Sequence, residues 1–315
     1  MSRNRRESLE LAPADTVSVI IPALNEATYL PGLLAALRAQ SQPPLEIIVA
    51  DAGSNDNTAK TAFQAGCRVV EGGRPARGRN AGAAVARGDI FLFLDADVRP
   101  APDFLARALP EFNARRLAVA TCLVQSLDGT RMDAVLHQAA DWYIRALRPL
   151  APRAPGFCVF SRRWAHEAID GFDETLWMAE DHDYARRVAQ WGRFGVLHVP
   201  IPVSTRRLQS DGRLTLAARY ALIEIHLLAR RNLRYPLFDY QFGHHSPRQI
   251  VGQRHAVQEL LRPTAWRPRL MRETIPPTKA QTFTAAEALR LPARLYRQAV
   301  RSRWQRWLEA EMDER

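Results

Sequence analysis

The tripeptide Asp95-Ala96-Asp97 follows the wholly apolar run 90–94 (IFLFL) without a gap. If the extended backbone persists past that run, side chains two residues apart point the same way, and both carboxylates converge on one spot. Converging anions repel unless a cation lies between them. Hard oxygen donors suit Mg²⁺ or Mn²⁺, with diphosphate oxygens completing the shell. The competing reading makes Asp97 a turn or cap residue. A second acidic group, Glu180-Asp181-His182-Asp183, follows Gly171-Phe172-Asp173-Glu174 at the start of a helical pattern. Acids in a first turn are favoured by the helix dipole alone. Crowded carboxylates also raise each other's proton affinity, so one of them could act as a general base on a hydroxyl.

Such groups need elements that hold them. Residues 17–21, 46–50, 67–70, 90–94 and 118–124 read as strands. Helical patterns at 27–39, 56–65, 80–87 and 102–113 alternate with them. The β-branched run 17–21 is expected to stop at Pro22, with Asn25 capping the first helix. Gly66 and Gly88 close the second and third helices. This alternation predicts an α/β fold: a mostly parallel sheet with helices on both faces. Beyond it come a helix over 132–148, a short strand at 157–160, a helix at 180–190, a strand at 194–199 and a long amphipathic helix over 214–231. Prolines punctuate the chain after 235, and a last basic helix covers 285–308. The expected organisation is a tail over 1–14, an α/β domain over 15–235 and a basic, largely helical extension over 236–315.

In open parallel sheets, ligands bind beyond the carboxyl ends of the strands. Asn25 and Glu26 follow the first strand and Asp51 the second. Arg74, Arg77 and Arg79 follow the third, and Asp95 and Asp97 the fourth. Loops are polar in any protein, but here charged groups collect on one rim. The first strand leads into Pro22-Ala23-Leu24-Asn25-Glu26, not a G-x-G-x-x-G turn, which disfavours a dinucleotide site. No G-x-x-x-x-G-K-[ST] occurs, so a P-loop is excluded.

The chain has 315 residues, 47% of them hydrophobic and 24% charged, and a formal net charge of +11. That composition is ordinary for a globular protein and excludes wholesale disorder, a collagen repeat or a disulfide scaffold. The basic balance favours anionic partners without choosing among them. Cys67, Cys122 and Cys158 lack metal-ligand spacing and read as buried thiols of a reducing compartment. The polar start, 1–13, does not read as a secretory signal. No apolar stretch is long enough to span a membrane. The expected location is therefore the cytoplasm.

The motifs taken together resemble family 2 glycosyltransferases of the GT-A fold. They are Val17-Ser18-Val19-Ile20-Ile21-Pro22-Ala23-Leu24-Asn25-Glu26, Asp51-Ala52-Gly53-Ser54-x-Asp56-x-Thr58, Gly78-x-Asn80-x-Gly82, Asp95-x-Asp97, Gly171-Phe172-Asp173-Glu174 and Glu180-Asp181. The resemblance runs from about residue 15 to 208. It implies transfer of a sugar from a nucleoside-diphosphate sugar, a UDP-sugar first, to an acceptor hydroxyl with inversion. It implies a nucleotide-sugar site on Pro22, Ala23, Asn25, Glu26, Asp51, Gly53, Arg77, Asn80 and Asp95. Asp51 would read the base, and Glu26 and the backbone near Ala23 the base and ribose. Asp95 and Asp97 would hold Mn²⁺ or Mg²⁺. Asp181, with Glu180 beside it in the E-D motif, would be the base.

Processive members carry a Q-x-x-R-W motif after the E-D acid. Ser204-Thr205-Arg206-Arg207 stands in that region here, so a single addition is expected. Arg206 and Arg207 read either as diphosphate ligands or as solvated charges. His182 and His198 are left out of the metal set. Tyr296, Val300, Trp304 and Trp307, beside Arg294, Arg297 and Arg301, form a stripe on the last helix. Core packing explains that stripe; so does contact with the inner face of an anionic membrane, which would suit a lipid-linked acceptor; the acceptor is expected to be a saccharide or lipid-linked. Two other classes compete with this reading. A non-catalytic basic protein on membrane or nucleic acid leaves the strand-end acids unexplained, and no nucleic-acid motif is present. A nucleotidyltransferase would want a basic signature after the first strand.

Overall fold

The computed structural model describes residues 15–128, 130, 135, 138–139, 141–145, 152–228, 233–234 and 237–238. All lie in the unit Met1–Leu261; residues 262–315 fall outside the described residues. The elements are β1 (Val17–Ala23), α1 (Leu30–Arg38), β2 (Glu46–Asp51), α2 (Thr58–Gln64), β3 (Arg68–Glu71), α3 (Pro75–Val85), β4 (Ile90–Leu94) and α4 (Phe104–Ala114). There follow β5 (Leu117–Ser126), β6 (Cys158–Arg162), α5 (Arg163–Ala168), α6 (Glu180–Val188), β7 (Arg193–Val203), α7 (Arg206–Ser210) and α8 (Arg213–Leu228).

Seven strands form one sheet in the order β3-β2-β1-β4-β6-β5-β7. Only β6 runs against its neighbours β4 and β5; the other pairings are parallel. The sheet is thus mostly parallel, as its alternating pattern predicts. Strand periodicity sorts the core onto two faces. Val17, Val19 and Ile21 of β1, with Ile90, Leu92 and Leu94 of β4, face α1 and α4. Ile20, Phe91 and Phe93 face the other way, toward α3, α5 and α6. Each layer is continuous, and burial of β1 and β4 is complete on both sides. The three cysteines are buried free thiols.

Several boundaries differ from the sequence pattern. β1 runs through Pro22 to Ala23, in register with Ala50 and Asp51. Proline interrupts a ladder only where its missing N–H was needed. Pairing of β1 with β4 has already ended at Ile20 and Phe93. Ala23 O accepts Ala52 N–H on the β2 side, so Pro22 N faces the side that has parted. Asn25 does not cap α1: it sits in the left-handed region at φ 55°, and the helix begins five residues later. α3 begins at Pro75 rather than at 80, because proline suits the first helical turn. Residues 163–168 and 206–210 form short helices that the pattern did not reveal. The helix expected over 132–148 is described at 141–145, where the backbone is helical. The 285–308 helix lies outside the described residues. No described helix is long and apolar enough to cross a membrane.

The parting of β1 from β4 matters most. The chain moves outward from β1 through β2 to β3, then returns to β4 on the other side of β1. Such a switch point opens a crevice beyond the strand ends.

Candidate active site

α3 is brought close to β1 by two glycines. A Cβ at Gly82 would overlap the Ile20 side chain, and one at Gly78 would lie 3.1 Å from Pro22 Cβ. The close fit drives the start of α3 toward the rim. Arg79 lies on the buried stripe of the helix with Ala76 and Ala83. Its side chain, 3% exposed, pairs with Glu180 at 2.7 Å and Asp95 at 3.2 Å. It also donates to Gly156 O at 3.3 Å and lies over the Phe172 ring. One arginine therefore binds Asp95, at the end of β4, to the acidic helix.

Asp181 is held from the same loop. Gly156 N donates to its Oδ2 at 2.5 Å, and His182 N to its Oδ1 at 2.7 Å. A Cβ at Gly156 would lie 3.1 Å from Asp181 Oδ2 and run into Arg79, so the approach requires glycine. Ala179, just before α6, has left-handed φ 58° and ψ 30°. That conformation is strained for alanine and turns Glu180 and Asp181 into the site. Burial, then the neighbouring Asp181, raise the proton affinity of Glu180 against the pull of Arg79.

The other half of the rim is closed by Arg206 at the start of α7. Its guanidinium binds Glu26 in a two-pronged pair, 2.7 Å on each side, and its Nε lies 2.8 Å from Asp97 Oδ2. The D-x-D residues thus face two partners. Past Leu94 the backbone leaves β4 and turns at 96–97. Asp95, 38% exposed, leans to Arg79, while Asp97, 9% exposed, leans to Arg206. Each D-x-D carboxylate thus has its own arginine, while the charge of Asp95 still acts on Asp97. Asp97 stays electrostatically stressed: burial raises its proton affinity, Arg206 lowers it, and Asp95 raises it further. Glu26 is raised by burial in spite of Arg206.

The remaining candidates divide. Asp51 accepts Gly53 N, Ser54 N and the Ser54 hydroxyl at 3.1, 3.0 and 2.6 Å. A carboxylate has about four acceptor positions, so a nucleobase N–H can still be met. Asn25 N donates to Ser54 Oγ and its Oδ1 accepts Asn55 N, which staples the loop after β1 to the loop after β2. Pro22 and Ala23 form the floor at the end of β1. Asn80 clamps the 171–174 segment, exchanging bonds with Phe172 N and O and donating to Glu174. Arg77 turns outward to Glu71 at 3.0 Å, both well exposed. Arg79, its neighbour two positions on, is the arginine that enters the acidic cluster. The signal for Arg79 is present in the sequence: three residues past Ala76 and four before Ala83, it is a charge on an apolar stripe. A helix start at 80 hides that spacing.

Among the described residues, no three His, Cys, Asp or Glu side chains cluster as a metal cage. The donor chemistry still suits a hard cation. Two carboxylates flank the switch point, and Asp97 is held against its preference for a proton. A divalent ion bound by these two and by substrate oxygens would relieve that stress.

Residues 18–167 match the model of the family described as Glycosyl transferase family 2. The matched stretch contains Arg79, Asp95 and Asp97 and stops short of Glu180, Asp181 and Arg206. The pre-mycofactocin glycosyltransferase of Mycobacterium tuberculosis is 31% identical over 191 residues, covering 56% of this chain and 39% of that protein. The 4,4'-diaponeurosporenoate glycosyltransferase of Staphylococcus haemolyticus is 37% identical over 110 residues, covering 32% of this chain and 29% of that protein. The chain thus spans less than half the length of these curated relatives. Among solved structures, the mannosyltransferase PcManGT of Pyrobaculum calidifontis, in complex with GDP-Man and Mn²⁺, superposes with a TM-score of 0.51 at 22% identity. It covers 69% of this chain and 68% of that one, a likeness of fold.

Proposed function

Residues 18–167 form a family 2 glycosyltransferase domain on a GT-A-like sheet, and from that premise we propose that the chain moves a sugar from a nucleoside-diphosphate sugar to an acceptor hydroxyl, with inversion, one sugar at a time. The observation that carries this reading is Arg79, whose guanidinium pairs with both Asp95 and Glu180.

The roles follow from the surroundings of each group. The loops after β1 and β2, stapled by Asn25 and Ser54, receive the nucleoside, with Asp51 and Glu26 as acceptors for its N–H and O–H groups. Asp95 and Asp97 would hold Mn²⁺ or Mg²⁺, which supplies charge neutralisation on the departing diphosphate. Asp181 takes the proton of the acceptor hydroxyl as that oxygen attacks the anomeric carbon. Glu180 keeps Arg79 in place, and the pair keeps the acid helix at the rim. Holding donor and acceptor in line supplies much of the remaining rate. A UDP-sugar is the first donor to test, and a saccharide or a lipid-linked alcohol the acceptor.

The test is thermal stability with UDP, GDP, dTDP and CDP, each with Mn²⁺ or with EDTA. A ligand at 100 times its dissociation constant adds about 2.7 kcal/mol. A rise with one nucleotide that EDTA abolishes supports the proposal and selects the donor class. No rise with any of the four sinks it.

A further inference from the structure

Behind Asp181, away from Arg79, lies a second polar cluster that the reading above does not use. His182 of α6 has Nδ1 3.5 Å from Asp181 Oδ1 and Nε2 3.7 Å from Glu224 Oε1 of α8. Glu224 is itself held: Arg153, 4% exposed, reaches its two oxygens at 3.2 and 3.1 Å, and the Tyr143 hydroxyl donates at 2.8 Å. His182 Nδ1 is buried and has no hydrogen-bond partner. That is unusual, because a buried ring nitrogen normally finds one.

The tautomer accounts for it. A neutral imidazole carries one N–H, and an N–H facing an ionised carboxylate would close to a bond; the buried Nδ1, which makes none, is the acceptor nitrogen. With the proton on Nε2, directed at Glu224, the Nδ1 lone pair faces an ionised Asp181 oxygen. Two acceptors in contact form no bond. Once Asp181 gains a proton, its O–H and Nδ1 become donor and acceptor without any new group entering.

We infer that His182 and Glu224 form a proton-withdrawal pair behind Asp181. The inference rests on Asp181 being the base. In the transfer step the acceptor O–H bond breaks and an Asp181 O–H bond forms. The acceptor oxygen bonds the anomeric carbon, and the bond to the diphosphate breaks with its electron pair leaving on the diphosphate. Next the Asp181 O–H bond breaks and Nδ1–H forms, giving an imidazolium between two carboxylates. The ring, 17% exposed, then loses a proton to water. Imidazole is a stronger base than carboxylate, so the second transfer runs downhill and restores ionised Asp181. His182 acts through Asp181 and is a positioning residue, not one that touches the sugar. The charged and titratable groups around it are Asp181 on its own helix, Glu224 on α8, Arg153 before β6 and Tyr143 in the helical stretch 141–145. Asp183 is engaged with Arg186 and Arg187.

The test has two arms on the full chain. In the first, histidine ring nitrogens are labelled with ¹⁵N and followed by NMR against pH, with His182→Gln assigning the signal. The expected neutral form carries its proton on Nε2. In Glu224→Gln the Nε2 proton loses the carboxylate it faces, and the preference for that tautomer should weaken. A proton on Nδ1, or a tautomer preference unmoved by Glu224→Gln, overturns the pair. In the second arm, nucleoside diphosphate release from UDP-glucose and GDP-mannose with MnCl₂ is measured across pH. His182→Gln should keep its melting temperature and its KM for the donor, lose kcat by about 10²-fold and lose the acidic inflection of the profile. A His182→Gln profile that overlays the wild type overturns the relay while leaving Asp181 intact. Full turnover in Asp181→Asn instead overturns the base assignment itself, so the two failures are distinct.

Discussion

Arg79 and Glu180 stand 101 residues apart in the chain and meet in a buried ion pair of 2.7 Å. Through the same guanidinium, Asp95 joins them. This one side chain links the end of β4, the start of α3 and the start of α6.

Removing that cation should be expensive. Arg79→Met leaves Glu180 buried beside Asp181 without its counter-charge. Breaking a buried pair in this way costs about 3–5 kcal/mol. Urea denaturation of Arg79→Met measures it, with Glu180→Gln in the same background expected to recover part of the loss. Arg79→Lys keeps the charge but not the two-pronged geometry, and should fall between. A midpoint equal to wild type for Arg79→Met would show that the bridge carries no stability.

Asp97 should trade stability for function. Its proton affinity, like that of Glu26 and Glu180, is raised in the fold, with burial as the leading cause. For an acid raised in the folded state, the ionised form opposes folding. Stability is greatest at low pH and is lost as the pH climbs through the raised value. Asp97→Asn removes that cost and should raise stability by on the order of 1 kcal/mol, while abolishing any nucleotide-induced shift that EDTA also abolishes. A melting temperature below wild type would mean that the Arg206 pair outweighs burial.

Asp181→Asn should keep nucleotide binding and lose transfer by at least about 10²-fold. The amide fills the same space and its one oxygen can still accept from Gly156 N, but its NH₂ then meets His182 N–H, so a loss of about 1 kcal/mol in stability is expected without unfolding. Nucleotide-dependent melting and turnover, measured on one preparation, check both halves.

His166 should set an acidic stability limb. It is packed among Phe91, Phe93, Phe172 and Tyr184, with Nδ1 3.0 Å from the Tyr184 hydroxyl. Burial, then Arg187 and Arg163, push its pKa from 6.5 down to about 4. Between those values the unfolded chain binds the proton and the folded one does not. Stability is therefore present above pH 6.5 and falls as the pH drops toward 4, by about 3 kcal/mol at 1.36 kcal/mol per unit. The difference in unfolding free energy between wild type and His166→Phe, followed from pH 7 to pH 4, should show that slope. A flat difference would contradict it.

Ala179→Gly should relieve the left-handed turn before α6. Alanine at φ 58° costs about 1–2 kcal/mol, and glycine returns up to about 1 kcal/mol through the freedom of the unfolded chain. The net gain, about 0.5–1 kcal/mol, is read by urea denaturation. Ala179→Val should lose stability.

Much was determined by the sequence alone. The apolar runs at 17–21, 46–50 and 90–94 have no polar face, and only a sheet covered on both sides can bury them; the α/β layout follows. The carboxylates were legible because they stand directly after those runs, and a parallel sheet puts every strand end on one rim. What stayed hidden was partnership across the chain. Nothing local says that Arg79 rather than Arg77 turns inward. That choice is made by Gly78 and Gly82, which let α3 settle on β1 and aim one helical face at Glu180. Nothing local joins Arg206 to Glu26, 180 residues away, or Glu224 to His182. The separate arginine partners of Asp95 and Asp97 are of the same kind: spacing of two says they share a side only while the backbone stays extended. At the end of β4 it turns, and two arginines from distant elements decide where each carboxylate points. Periodicity reports which residues are buried; which charge meets which is settled only when the layers pack.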